Sequence, residues 1–266
     1  MKSKRAFTLI ELLVVIAIIA ILALLVSAAA GSFQKKAQVA QSMANLKQLA
    51  SGFLNYVGTH DGELPPLGDA QPGWGKPDEK SANAWYHSVP KAAGARGLGE
   101  FDRPDSFYEK QNLLFFPVAK YPKSKLSRPN FAVALNASLY GNAASRKDDP
   151  TRAVRLSNMQ MPATTVVFME VGLQDEEVLP GQNPGTYTGS AHGTPEGLVA
   201  RYNQVQSKDM EERRESATAM VFGDGHVEVL KVKDVLDTTG HAYFPQLRKD
   251  NGLGSVSWTM DPEEKP

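Results

Sequence analysis

The stretch that most constrains this chain is KSKRAFTLIELLVVIAIIAILALL, residues 2–25. Three basic residues, Lys2, Lys4 and Arg5, precede an apolar run that carries a single acid, Glu11. From Phe7 to Ala30 only Thr8, Glu11 and Ser27 are polar, and Leu12 to Val26 is 15 apolar residues without interruption. About 20 predominantly apolar residues carry a helix across a bilayer core, so the run is long enough to span one. No proline occurs before Pro65, and nothing in the run breaks a helix.

Three readings follow. As a plain anchor, the basic residues ahead of the span place the N-terminus in the cytoplasm and the bulk of the chain outside. As a secretory signal peptide, the run is followed by Ala28-Ala29-Ala30, a small-residue cleavage site that would leave a chain beginning at Gly31. The third reading turns on Glu11. A carboxylate near the centre of a membrane helix costs about 2.5–3.5 kcal/mol, less toward the edge, and is a functional residue by default. Glu11 is the fifth residue counted from Phe7. A cut before Phe7 would create an α-amino group within reach of a neighbouring subunit's Glu11, and in low dielectric the pairing leaves neither charge buried alone.

KRAFTLIELLVVIAIIAILALL resembles the class III signal of type IV prepilins and type II secretion pseudopilins. The resemblance implies that a prepilin peptidase removes a leader of residues 1–6 by cutting between Ala6 and Phe7, and methylates Phe7. It also implies that Glu11 is the assembly carboxylate. The family usually carries Gly before the cut, where this chain has Ala6. The partners implied are the peptidase, other pilin or pseudopilin subunits and the inner-membrane assembly platform. The implied location is a single pass through the bacterial inner membrane with a periplasmic head, or an extracellular filament or the cell surface after assembly. The alternative from a different class is a membrane-tethered periplasmic or surface binding protein that never polymerises.

Beyond the apolar run, residues 7–30, the pattern becomes amphipathic over 31–58. Val39, Met43, Leu46, Leu49 or Ala50, Phe53, and Tyr56 or Val57 recur at 3–4 spacing, which predicts one long helix from Phe7 to about Gly58 with Gly31 and Gly52 as candidate bends. GTHDGELPP stops it, and residues 59–266 form the head. In the head, AWYHSVPKAAG suggests a short helix interrupted by Pro90. NLLFFPVA (112–119), NFAVALN (130–136) and TTVVFMEVG (164–172) read as strands, with GSVSWTMD (254–261) as a last edge strand. Residues 176–197 read as loop, 207–216 as a charged helix, and ATAMVFGDGHVEVLKV (217–232) as a hairpin around Asp224-Gly225. The expected fold is α+β and pilin-like: a long N-terminal helix, membrane-spanning in its first half, packed on an antiparallel sheet.

NLKQLASGFLNYVGTHDGELPP, NFAVALNASLYG, RLSNMQMPATTVVFMEVG and AMVFGDGHVE stand in the order found in a bacterial family of prepilin-like proteins with an H-x9-DG C-terminal signature. The chain is similar to that family but departs from its signature. His192 and Asp224-Gly225 are separated by 31 residues, and 194–216 reads as mostly inserted at the surface.

Composition narrows the chemistry. The net charge is zero, and loss of the leader leaves 26 basic against 29 acidic residues, a balance unsuited to a nucleic-acid partner. The absence of cysteine excludes disulfides, thiolate metal sites and cysteine nucleophiles. No G-x-x-x-x-G-K, G-x-S-x-G or H-E-x-x-H occurs, and the five histidines are dispersed. The chain therefore reads as a non-enzyme with no cofactor. Asp224 and His226 are weak metal-ligand candidates, with His192 or Glu170 as companions, but Asp-Gly is also what a tight turn requires. His60-Asp61-Gly62 reads likewise as a helix stop. Some major pseudopilins bind calcium in a C-terminal loop; the comparable cluster here, Asp261, Glu263 and Glu264, reads as a solvated tail. Trp74, Trp85 and Trp258 are equally core residues or ligand platforms.

Overall fold

The computed structural model describes residues 9–75, 77, 81–101, 104–109, 112–122, 127–140, 154–173, 189–205, 209, 212, 214–236 and 256–260. Helix α1 runs unbroken from Leu9 to Thr59, through both Gly31 and Gly52. In its second half Leu46, Leu49, Ala50, Phe53 and Val57 are buried on one face, as the 3–4 spacing requires. Burying an aliphatic or aromatic side chain of this size contributes roughly 1.5–3 kcal/mol, so this face holds the helix to the head. The helix ends where Asp61 (φ 52) and Gly62 (φ 80) turn left-handed. The Gly62 N–H reaches back to the Val57 carbonyl at 3.0 Å, a Schellman-type closure.

Against α1 lies α2 (Trp85–Ala92). A Cβ on Gly52 would sit 2.4 Å from the Val89 carbonyl oxygen and 2.9 Å from Ala93 Cβ. Gly52 thus serves close helix approach rather than bending. Pro90 lies inside α2 and does not interrupt it. One missing N–H removes one bond of the ladder, and burial of Trp85, Tyr86 and Val89 outweighs it.

Among the described residues five strands pair in one sheet. Strand β1 (Val133–Asn136) pairs antiparallel with β2 (Val166–Glu170), β2 with β4 (Ala217–Phe222), and β4 with β5 (Val227–Lys231). The sheet is mostly rather than wholly antiparallel, because β3 (His192–Gly193) joins β1 in parallel. This strand falls in the segment expected to be loop. Both faces of the sheet are covered. Val167, Phe168, Ala219 and Val221 join the cluster that contains α1 and α2. Val166, Met169, Met220 and Phe222 join Leu198, Ala200, Trp258 and helix α3 (Val232–Val235) on the other face. The neighbours Val167 and Phe168 share one face because the β2–β4 register shifts between Val166 and Phe168.

Two further expectations are corrected. Residues 112–119 form turns, not a strand. The Asn112 side chain accepts from the Leu114 N–H (3.0 Å) and donates to the Phe107 carbonyl (2.6 Å). From α1, Asn45 donates to the Phe115 carbonyl (2.7 Å) and Ser42 accepts from the Val118 N–H (3.2 Å). These side chains take the backbone groups that a ladder would use. The described part of segment 194–216 is not mostly at the surface, since Leu198, Val199, Ala200, Arg201, Tyr202 and Arg214 are all buried. The expected charged helix at 207–216 lies largely outside the described residues, as does the tail with Asp261, Glu263 and Glu264. Within 254–261 the described part makes a parallel bridge, Thr165 to Ser257, at the start of β2.

Candidate functional site

The first half of α1 makes the most unusual surface in the molecule. Its exposed apolar side chains range from Val15 at 44% to Leu9 at 80%, and successive residues point in every direction around the axis. Leu12, Leu13, Val14, Ile16, Ile18, Ile19, Ile21 and Leu22 all exceed 45% exposure, so among the described side chains of this half, residues 9–24, no face is buried by the head. An apolar helix of this kind needs an apolar surrounding that the chain does not itself supply. Glu11 is exposed on this half of the helix. Ala6 and Phe7 lie outside the described residues. Among those that are described, no helix is long and apolar enough to cross a membrane; in this half the described side chains end at Leu24, although the helical backbone continues.

The Asp224 loop has the geometry of a structural turn. Gly225 adopts φ 86, and its N–H donates to the Phe222 carbonyl at 2.9 Å. This is a three-residue hairpin loop with glycine at the left-handed position. A Cβ there would lie 2.4 Å from Leu54 Cδ1, so the turn is also seated against α1. Asp224 Oδ1 accepts from the His226 N–H (3.1 Å) and lies 2.6 Å from His226 Nδ1, while the imidazole stacks on Phe222 at 4.3 Å. Partial burial pushes the Asp224 carboxyl up, but the hydrogen bonds and charge of His226 prevail and hold it below its ordinary value.

The proposed companions of this pair are engaged elsewhere. His192 Nε2 lies 2.9 Å from the Gly68 carbonyl, on the edge strand β3. Glu170 is fully buried and pairs with Arg201 at 3.5 Å. Among the described residues no three histidine or carboxylate side chains come together to hold a metal ion. His60 stacks on Tyr56 at the end of α1. His87 is buried in α2 and accepts the Gly99 N–H at Nδ1 (2.9 Å). Burial first, then Lys91, lowers its pKa to about 4 against the opposing pull of Glu100. Trp85 and Trp258 are core residues, and Trp74 is half-buried against Phe107 and Tyr108.

The Glu170–Arg201 pair is what the sequence reading missed. Arg201 donates from Nη1 to the Ala132 carbonyl (2.9 Å) and from Nη2 to the Val171 carbonyl (2.7 Å). Glu170 Oε2 accepts from the Ala219 N–H at 3.0 Å. Burial, followed by the Glu170 charge, pushes the neighbouring Tyr202 phenol well above its usual range. The available signal was the apolar setting of the arginine in GLVARY. A cation between buried apolar residues needs a buried anion, and Glu170 in the most apolar strand was the corresponding acid.

Residues 1–27 match a family described as the prokaryotic N-terminal methylation motif, which implies processing by a prepilin peptidase and suggests association with the cell envelope. No curated protein and no solved structure matches the chain. The chain thus joins a methylation motif typical of type IV prepilins and pseudopilins to a pilin-like α+β fold.

Proposed function

We propose that this protein is a prepilin-like structural subunit, cut between Ala6 and Phe7, methylated at Phe7 and assembled into a pilus-like or secretion-pseudopilus filament. The observation that carries the reading is the methylation motif overlapping a helix half whose described apolar side chains are exposed on all sides. Such a half suits two apolar surroundings in succession. The first is the inner membrane, which the run from Phe7 to Ala30 is long enough to cross with the head on the periplasmic side. The second is a bundle of the same helices from neighbouring subunits on the assembly platform. Glu11 then pairs with the α-amino group of an adjacent subunit's Phe7, so neither charge enters the bundle alone. The head contributes surface rather than chemistry, in keeping with the non-enzymatic proteins that carry this motif.

The test is the intact mass of the natively produced chain. The expected product begins at N-methyl-Phe7. A chain beginning at Gly31 would establish a signal peptide and remove the filament reading, while retention of Met1 would leave a passive anchor.

A further inference from the structure

Resting on the membrane reading above, we infer that Phe33, Lys35 and Lys36 form a collar that seats α1 in the outer leaflet, with the lysines taking the phosphates of anionic phospholipid headgroups. Phe33 is 65% exposed, and Lys35 and Lys36 are exposed beside it. At about 100° per residue Lys35 and Lys36 stand roughly 200° and 300° around the axis from Phe33. A groove on a neighbouring protein would meet one face of the helix. Residues spread around the whole axis suit surroundings that are uniform in the plane, as an interface is.

The axial spacing agrees. Glu11 and Phe33 are 22 residues apart, about 33 Å along a helix, against a hydrocarbon core about 30 Å thick. With Glu11 at the inner edge, Phe33 reaches the outer interface, where aromatic side chains concentrate. The aliphatic stems of Lys35 and Lys36 can lie along the acyl boundary while their ammonium groups reach the headgroups. No Lys or Arg lies between Arg5 and Lys35. Loss of residues 1–6 therefore leaves Lys35 and Lys36 as the first basic side chains of the chain, both beyond the span. Before the cut the helix carries basic side chains at both ends; after it, the inner end keeps only the α-amino group of Phe7.

The chain has no cysteine, so one introduced at exposed Gln34 or at Leu22 accepts a single nitroxide label. Full-length protein is placed in phosphatidylcholine vesicles with and without phosphatidylglycerol, and accessibility to a water-soluble relaxation agent is measured. Each lysine near an anionic surface is worth about fivefold in local equilibrium, so phosphatidylglycerol should protect position 34 severalfold. K35Q/K36Q should abolish that dependence while position 22 stays shielded. Equal accessibility at position 34 in both vesicle types would overturn the collar. Protection that appears only at high protein density would assign it to a second copy of the chain and overturn the lipid assignment. Exposure of position 22 to the aqueous agent would instead overturn the membrane reading itself, which separates the two failures.

Discussion

Replacing Arg201 by Met removes the counter-charge of a carboxylate that has no access to water. Glu170 has a side chain 0% exposed and Arg201 one 1% exposed. Breaking a buried pair by deleting one partner typically costs about 3–5 kcal/mol. The guanidinium also serves two buried carbonyls: that of Ala132 keeps the Val171 N–H as a donor, while that of Val171 loses the guanidinium bond, a loss worth about 1–3 kcal/mol if no other donor replaces it. These terms overlap, and we expect Arg201→Met to cost about 4–6 kcal/mol. That is a large share of the roughly 5–15 kcal/mol that holds a typical domain together. Urea unfolding of a chain beginning at Lys35 measures the loss, alongside Glu170→Gln and the double variant. Glu170→Gln in the Arg201→Met background should recover part of the loss, because a neutral amide is cheaper to bury than an unpaired carboxylate. A loss below about 1 kcal/mol, as for a surface change, would refute the reasoning. So would a cycle in which the two substitutions simply add.

Five other outcomes are expected. A chain beginning at Lys35 should be soluble and monomeric with a single cooperative unfolding transition, since the buried face of α1 begins near Ser42; persistent aggregation would contradict this. Gly225→Val should destabilise the head by about 2 kcal/mol or more, from positive φ and the clash with Leu54, with partial relief by Leu54→Ala. Asp224→Asn should be nearly silent, and a metal-dependent melting shift that it abolishes would convert the turn into a metal site. His87, held neutral with its pKa lowered to about 4, contributes stability present above pH 6.5 and lost as pH falls toward 4. Unfolding across that window should show a loss of about 2–3 kcal/mol that His87→Gln removes. Glu11→Leu should insert as well as the native chain, yet fail to co-sediment as filaments; equal assembly would end the pairing proposal.

Where a segment's own residues set its structure, the sequence was readable. The apolar run and the 3–4 spacing after it announced α1, and the β-rich arms around Asp224-Gly225 announced the hairpin. Where partners distant in sequence decide, it was not. NLLFFPVA has the composition of a strand, but Ser42 and Asn45 lie some 70 residues earlier and claim its backbone. Strand β3 is two residues long and exists only through its parallel contact with Leu135 and Asn136. Segment 194–216 was misjudged because its charged end, MEERRES, hid the apolar stretch LVARY, whose Leu198 and Ala200 enter the second core and Tyr202 the first. For the candidate site, the methylation motif of residues 1–27 was legible because it is local in sequence. The Glu170–Arg201 pair was hidden because it joins side chains 31 residues apart.

The unbroken passage of α1 from its apolar half into the head makes the two halves a single rotor. Each residue in a helix advances the phase by about 100° and the length by 1.5 Å. Deleting one residue between Gly31 and Val39 would leave every contact within the head intact, and every apolar side chain chemically unchanged. It would nevertheless swing the head about a quarter-turn relative to the Glu11 edge of the helix. Residue count across this stretch, more than residue identity, therefore sets which face of the head looks outward when the apolar half is held in a given orientation.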